Sequence, residues 1–239
     1  IVLCVPPGKD GKVPSAVLVA ADICGISKIF KVGGAQAVAA MAYGTESIPK
    51  VSKIFGPGNQ YVTTAKMLVY GEVDIDMPAG PSEVLVFADK DADPAWIAAD
   101  LLSQLEHGED SQAILITTSE FLVRKVLIEV KNQTENLERK EIIKKSLDNS
   151  FAIIVENEDQ ACEIINEYAP EHLEIISKNE NQILKKIKNA GSVFLGKYSS
   201  EPLGDYATGS NHTLPTSGYA KMFSALSVES FGKKMQIQR

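Results

Sequence analysis

The sequence predicts an α/β fold made of two Rossmann-like domains, each built from βα units around a parallel sheet. Short apolar runs alternate with helical patterns over most of the chain, and turn residues separate them. One crowded group of Pro and Gly, Met77-Pro78-Ala79-Gly80-Pro81, interrupts the alternation and predicts a domain crossing. We therefore expect one domain at residues 1–80, a second at residues 81–228, and the start of a C-terminal extension at residues 229–239.

Each element of the first domain follows from a local pattern. Gly25 ends the first helical pattern, and the Gly33-Gly34 and Gly56-Pro57-Gly58 turns each lead from a strand into a helix. The strands are predicted at Ile1–Pro6, Ile29–Val32, Lys53–Phe55 and Val73–Asp76, and the helices at Pro14–Cys24, Ala35–Tyr43 and Asn59–Val69.

The second domain continues the alternation with longer elements. Asp93 suits an N-cap and Pro94 suits the first position of a helix, which is predicted to run to about His107. Residues 201–227 lose periodicity and gather Gly, Ser, Thr and Pro, which is typical of a functional loop beside an α/β core. The strands are predicted at Glu83–Ala88, Ala113–Thr117, Phe151–Val155, His172–Ile176 and Ser192–Leu195, and the further helices at Ser119–Gln133, Arg139–Leu147, Asp159–Tyr168 and Glu180–Ala190.

Bulk composition argues against several classes of function. The 239 residues include 24 Lys and Arg against 31 Asp and Glu, and the resulting charge of −7 argues against nucleic acid or an anionic membrane as partner. No apolar run approaches the roughly 18 residues of a membrane span. The three cysteines are odd in number and widely spaced, so we expect a reduced, cytoplasmic protein. The chain opens on a core strand, so we also expect that sequence upstream is missing.

The first of three histidines lies at the end of the helix that begins at Pro94. Gln104 and His107 are three residues apart, so their side chains lie about 60° apart around the helix and can face one metal ion. The competing interpretation is an ordinary helix C-terminus, where a His complements the dipole and Gly108 adopts the left-handed conformation. Spacing alone favours that second interpretation.

The other two histidines lie in polar segments. Glu171 and His172 would form an acid–base pair if they shared a cleft, although in an extended segment their side chains would point to opposite faces. A surface Glu beside a structural His is the alternative, and the residues alone favour it. The glycine-rich loop after Leu203 contains His212 and Asp205, whose carboxylate is a hard oxygen ligand for zinc or magnesium. A long polar turn explains this loop equally well.

Two strand–turn–helix junctions suit a dinucleotide. They carry Gln36 after Gly33-Gly34 and Asn59 after Gly56-Pro57-Gly58, at helix N-termini whose free amides favour a diphosphate. Neither junction matches GxGxxG, and tight packing of helix on strand requires glycines in the same places. Taken alone, the dinucleotide signal is weak.

Read together, six strings in order along the chain resemble histidinol dehydrogenases. The resemblance implies oxidation of L-histidinol to L-histidine through histidinaldehyde with two NAD⁺, the last steps of histidine biosynthesis, in a zinc-containing cytoplasmic homodimer. Compared with that family, an N-terminal stretch and a C-terminal tail are absent, so both Rossmann-like domains are expected to be incomplete. The strings are VGGAQAVAAMAYGTES, KIFGPGNQYVTTAK, DMPAGPSEVLV, LLSQLEHGEDSQ, APEHLEI and GDYATGSNHTLPTSGYA.

The resemblance also implies a role for each candidate residue. Glu171 and His172 match the catalytic pair, and Gln36 and Asn59 match positions that contact NAD. The matching zinc ligands are Gln104, His107 and Asp205, with a further His expected from the tail of the partner subunit. The implied substrate contacts are Ser82, Gln104, His107, His172, Asp205 and His212.

Two alternatives from other classes stay open at this point. One is a non-catalytic α/β remnant of the family that binds a ligand or partner without turnover. Zinc content and NADH production from histidinol separate it from an enzyme. The other is a zinc hydrolase that uses Glu171 as its base and needs no nicotinamide, which titration with NAD⁺ would test.

Overall fold

Every strand pair in the computed structural model is parallel, which confirms the α/β class. The structure describes residues 1–238. These residues form two units, one of residues 1–78 together with the segment from residue 228 onward, and the other of residues 79–227.

The first unit contains two small parallel sheets and a small apolar core. Strand β1 pairs with β2, and β3 pairs with β4. Val38 and Ala42 of α2 pack with Ile54 and Val69. The Phe231 ring, in the segment after residue 228, lies 4.3 Å from the Phe55 ring. The elements are β1 Val2–Cys4, α1 Ser15–Ile23, β2 Lys28–Phe30, α2 Gly34–Tyr43, β3 Lys53–Ile54, α3 Gln60–Val69 and β4 Asp74–Ile75.

The second unit is a doubly wound domain with a five-stranded sheet in the order β7-β6-β5-β8-β9. Strand β5 lies at its centre and is buried along its whole length, as expected of a strand covered on both faces. The elements are β5 Glu83–Ala88, α4 Pro94–Leu105, β6 Gln112–Thr117, α5 Glu120–Thr134, α6 Lys140–Ser146, β7 Phe151–Ile154, α7 Glu158–Tyr168, β8 His172–Ile176, α8 Glu180–Leu184, β9 Ser192–Leu195 and α9 Glu201–Tyr206.

Alternation along β5 divides the core into two layers. Val84 and Val86 pack with side chains of α4, α5 and α6 on one face of the sheet. Leu85 and Phe87 pack with side chains of α7 and α8 on the other. The helices therefore cover both faces of the sheet with mostly apolar side chains, and Glu174 of β8 is a buried polar exception.

Two predicted segments differ from the structure. The helix expected at Glu180–Ala190 ends at Leu184, because the side chain of Asn166 accepts the Lys188 amide and donates to the Lys186 carbonyl. The segment expected to be irregular from Glu201 contains helix α9, whose first amide donates to Glu174 Oε1 at 2.8 Å. Both differences result from contacts between residues that are distant in sequence.

Candidate functional site

The candidate site lies at the amino ends of β5 and β8. Doubly wound domains usually bind ligands at the carboxyl ends of their strands. Here Glu83 begins β5 and His172 begins β8, and the sheet register pairs Val84 with His172. Helix α4 returns between the parallel strands β5 and β6, so its C-terminal residue pair Gln104–Leu105 lies toward the same edge. The site therefore occupies the edge opposite the usual one.

The imidazole of His172 is buried and held in one orientation. Its Nδ1 lies 3.0 Å from the Glu83 carbonyl oxygen, which only accepts hydrogen bonds, so Nδ1 carries the proton of the neutral ring. Burial lowers the pKa of His172, although the Glu83 carbonyl and the charge of Asp205 oppose this effect. The ring is therefore neutral near pH 7, and Nε2 presents an unprotonated lone pair.

Glu171 approaches the same backbone as His172. Its Oε2 accepts the Glu83 amide at 2.9 Å and lies 3.7 Å from His172 Nδ1. The pKa of Glu171 is raised to about 8, first of all by burial and also by the nearby carboxylates Glu83, Asp205 and Glu201, while the Glu83 amide lowers it. The two side chains thus share one cleft.

The start of strand β9 passes close to the Glu171 backbone, and this approach depends on a glycine. A Cβ at position 191 would lie 2.6 Å from the Glu171 carbonyl oxygen, so only Gly191 allows the strand β9 entry to pass so near. Gly191 donates its amide to Pro170, and Ser192 donates to the Glu171 carbonyl at 2.8 Å. The backbone around Glu171 is consequently fixed on both sides.

Helix α9 brings two carboxylates to the open nitrogen of His172. Glu201 and Asp205 are four residues apart and share one helix face. Asp205 Oδ1 lies 3.9 Å from His172 Nε2, and Glu201 Oε1 lies 4.0 Å from the same atom. Ser103 Oγ donates to Glu201 Oε2 at 3.2 Å and holds this carboxylate in place.

Glu201 was missed by the sequence analysis. The available signal was the spacing Glu201-Pro202-Leu203-Gly204-Asp205, which places two carboxylates one helical turn apart after a serine. The glycine-rich composition of the surrounding segment obscured it. Burial raises the pKa of Glu201 to about 7, and its neighbour Asp205 contributes to the same shift.

The geometry and donor set suit a divalent cation. Ligand atoms of His172, Glu201 and Asp205 all lie within 4.8 Å of one another. Within residues 1–238, the buried atoms His172 Nε2 and Gln104 Oε1 have no hydrogen-bond partner. All of these atoms are acceptors, so the two carboxylates suit a cation, and His172 Nε2 and Gln104 Oε1 are each available to a cation or to a hydrogen-bond donor of a ligand.

The remaining candidate residues differ in their burial and in their distance from this cluster. Gln104, at the end of α4, is 1% exposed. His107 and His212 are solvent-exposed, yet their charges lower the pKa of His172, so they lie near it. Ser82 is half-buried beside the start of β5 and accepts the Gln112 amide through its carbonyl. Of the two titratable residues expected to bind zinc, Asp205 thus belongs to the close cluster around His172, whereas His107 lies outside it.

A buried glutamate and a half-buried aspartate form a carboxyl pair beside the start of α9. Glu174, in the middle of β8, accepts the Glu201 amide and shares a hydrogen bond with Asp100 of α4. The pKa of Glu174 is raised to about 9, first of all by burial and then by the charge of Asp100. The Glu174 carboxyl group is therefore protonated near pH 7 and can donate to Asp100 while it accepts from α9.

The two residues that are expected to contact a dinucleotide lie in the first unit. Gln36 is exposed in the first turn of α2. Asn59 is the N-cap of α3, and its Oδ1 accepts the amides of Tyr61 and Val62 at 3.1 and 3.2 Å. The cap engages the oxygen of the Asn59 side chain and leaves its amide group at an exposed position.

Among residues 1–238, no helix combines the length and apolar character that crossing a membrane requires.

Comparison of the sequence with known families shows that the histidinol dehydrogenase model matches residues 1–239. A histidinol dehydrogenase of Bacteroides fragilis strain YCH46 is 61% identical over 239 residues, which are 100% of this chain and 56% of the relative. The enzyme of the same description from Methanocaldococcus jannaschii is 54% identical over 98% of this chain and 54% of its own length.

Solved structures agree with these relatives. The crystal structure of histidinol dehydrogenase from Elizabethkingia anophelis superimposes with a TM-score of 0.94 at 52% identity, covering 98% of this chain and 55% of that chain. An acetylating aldehyde dehydrogenase from Geobacillus thermoglucosidasius, at 12% identity and a TM-score of 0.56, covers 92% of this chain and 65% of that chain, and shares the fold alone. The chain spans about half the length of the curated relatives it matches.

Proposed function

Because the chain belongs to the histidinol dehydrogenase family, we propose that it supplies the catalytic residues of a zinc- and NAD-dependent oxidation of L-histidinol to L-histidine. The reaction proceeds through histidinaldehyde with two NAD⁺, in a cytoplasmic homodimer of the histidine biosynthetic pathway. The observation that carries this proposal is the orientation of His172. Its Nδ1 is occupied by the Glu83 carbonyl, and its free Nε2 points toward Asp205 and Glu201.

In the alcohol step, His172 is the general base. Its lowered pKa keeps Nε2 unprotonated near neutral pH, so this atom accepts the proton of the substrate hydroxyl. The Glu83 carbonyl stabilises the imidazolium that results, because it remains bonded to Nδ1–H. When bound, NAD⁺ supplies the hydride acceptor and zinc supplies a Lewis acid that orients the substrate.

In the aldehyde step, Glu171 activates water. Its Oε2 is held by the Glu83 amide, so the other oxygen is free to accept a proton from a water molecule. Once deprotonated, a carboxylate whose pKa is raised to about 8 is a stronger base than an ordinary glutamate, so this step should become faster as the pH rises toward 8. After His172 has released the proton of the alcohol step to solvent, its Nε2 assists again by accepting the hydroxyl proton of the hydrated aldehyde; its Nδ1 lies 3.7 Å from Glu171 Oε2.

The zinc ligands in this proposal are Gln104, His107 and Asp205. The unpartnered, buried Oε1 of Gln104 and the partly buried carboxylate of Asp205 support this assignment. Ser82, His172 and His212 complete the substrate contacts, and Gln36 and Asn59 contact NAD. A histidine from the partner subunit would add a further ligand, as in the resemblance described above.

Coupled spectrophotometry tests the proposal. The purified chain is mixed with zinc, NAD⁺ and L-histidinol, with and without a peptide that corresponds to the family's C-terminal tail. We expect NADH and L-histidine in a ratio of two to one, and much slower formation of both with His172→Asn. A chain that binds zinc and NAD⁺ but forms no NADH under either condition would instead be a non-catalytic remnant. A chain without affinity for NAD⁺ would contradict the cofactor assignment.

A further inference from the structure

The first unit contains a buried ion pair that the proposed mechanism does not use. Lys66 of α3 and Asp76, just after β4, are in direct contact, and their side chains are 3% and 1% exposed. By comparison, the Lys50–Glu72 ion pair of the same unit is about half-exposed on both sides. Burying two charges costs desolvation energy, which their attraction repays only with good geometry and further hydrogen bonds.

Both members of the pair bond to the same residue of the neighbouring turn. Asp76 Oδ2 accepts the Gly56 amide at 2.7 Å, and Lys66 Nζ donates to the Gly56 carbonyl at 3.0 Å. Gly56 has a φ of +133°, a conformation that side chains rarely adopt. The ion pair thus holds the amide and the carbonyl of a single glycine in a conformation that only this residue readily reaches.

The clamped turn leads directly to the N-terminus of α3. Gly58 packs so closely that an added Cβ would lie 2.5 Å from the Val62 side chain. Asn59 follows at once and caps the helix through Oδ1. Movement of Gly56 would therefore shift Asn59 and the free amides of the first turn of α3.

We propose that the Lys66–Asp76 pair is a positioning device for the dinucleotide, which fixes the Gly56-Pro57-Gly58 turn and thereby presents Asn59 to the cofactor. The inference rests on the proposed use of NAD⁺. Because an apolar pair of similar volume often gives equal stability, the distinctive contribution of the charges is the direction of the bonds they make to Gly56. Lys66 and Asp76 are positioning residues and need not touch the cofactor.

The test compares variants of the full 239-residue chain. Lys66→Met/Asp76→Asn removes both charges at nearly constant volume and avoids the unpaired buried charge that either single change would leave. Lys50→Met/Glu72→Gln removes an exposed ion pair of the same unit and serves as the matched control. For each protein, the melting temperature, zinc content, hydrogen exchange of residues 55–62 and affinity for NAD⁺ by calorimetry are measured.

We expect the double variant to fold and to keep its zinc, to exchange the amides of residues 55–62 faster, and to bind NAD⁺ about tenfold or more weakly. The control should match the wild type in all four measurements. If the folded double variant binds NAD⁺ as tightly as the wild type, the positioning role is wrong while the cofactor site stands. If the wild type itself binds no NAD⁺, the cofactor site is wrong and the inference fails with it. A double variant that loses zinc and NAD⁺ together with its melting transition would show a purely structural role and overturn the inference.

Discussion

The Nδ1 atom of His172 lies 3.0 Å from the carbonyl oxygen of Glu83, although the two residues are 89 positions apart in the chain. Strand pairing creates this contact, because β5 and β8 are neighbours and their register places His172 opposite Val84. The sheet thereby selects the ring tautomer that leaves Nε2 unprotonated. In an isolated histidine either ring nitrogen can carry the proton, whereas here the backbone geometry fixes the proton on Nδ1.

Replacing His172 with Asn tests its role as general base. Asn can still donate to the Glu83 carbonyl, but it cannot accept a proton at the position of Nε2. We expect kcat for histidinol oxidation to fall by about 10²–10⁴-fold. Zinc content, measured by elemental analysis, should stay at the wild-type level, and its loss in the variant would argue against separate catalytic and metal-binding roles.

Replacing Glu171 with Gln tests the division of labour between the two steps. The amide oxygen of Gln can still accept the Glu83 amide, so the local backbone should be preserved while the base is lost. We expect oxidation of histidinaldehyde to slow by about 10²-fold or more and oxidation of histidinol to slow less. Single-turnover assays started from each substrate measure the two steps separately. Equal damage to both would contradict the assignment.

Replacing Asp205 or Glu201 separates ligands from supporting groups. Asp205→Asn should weaken zinc binding by at least about 100-fold, whereas Glu201→Gln, which keeps its bond with Ser103, should weaken it about tenfold. Competition with a metallochromic chelator measures both affinities. The exposed residue Asp110 provides the control Asp110→Asn, which should have no effect. If Glu201→Gln has the larger effect, Glu201 is a ligand in its own right.

The pH dependence of stability tests the buried Glu174. Its pKa is raised from 4.5 to about 9 in the folded chain, first of all by burial, so the folded state favours the protonated carboxyl group. This stabilisation is complete below pH 4.5, decreases as the pH rises, and is lost as the pH passes about 9. The measurement compares the metal-free wild type with metal-free Glu174→Gln. Between pH 4.5 and pH 9, the melting temperature of the wild type should fall by about 5 °C more than that of the variant.

The control for this measurement is an exposed carboxyl group of the same unit. Glu163 on α7 is solvent-exposed, and Glu163→Gln should leave the pH profile of the melting temperature parallel to that of the wild type. A Glu174→Gln profile that also runs parallel to the wild type would show that Glu174 titrates normally in the folded state.

Local patterns were sufficient to predict most of the scaffold. The bounds predicted for strands β5, β8 and β9 agree with the structure, because each strand is a short segment rich in apolar residues between helical patterns and turn residues. Asp93 caps α4 as predicted, accepting the Ala95 amide at 2.9 Å. These features depend on neighbouring residues alone, so the sequence is sufficient to identify them.

Features that depend on distant residues were not predicted. Helix α9 forms in a glycine-rich segment because its first amide bonds to Glu174, and Glu201 enters the site only as a result. Glu171 and His172 share a cleft because both bond to Glu83, which local spacing could not reveal. The resemblance to a family suggested the roles of Gln104, His107 and Asp205, and these roles stay predictions.

The central position of β5 in the sheet affects when the site around His172 can form during synthesis of the chain. Strands β5, β6 and β7 emerge consecutively and can pair by local βα connections, whereas β8 must return to the opposite side of β5. A nascent polypeptide that ends before β8 therefore has a partial sheet and an unfilled edge where His172 belongs. The arrangement of groups around His172 therefore depends on this long-range pairing.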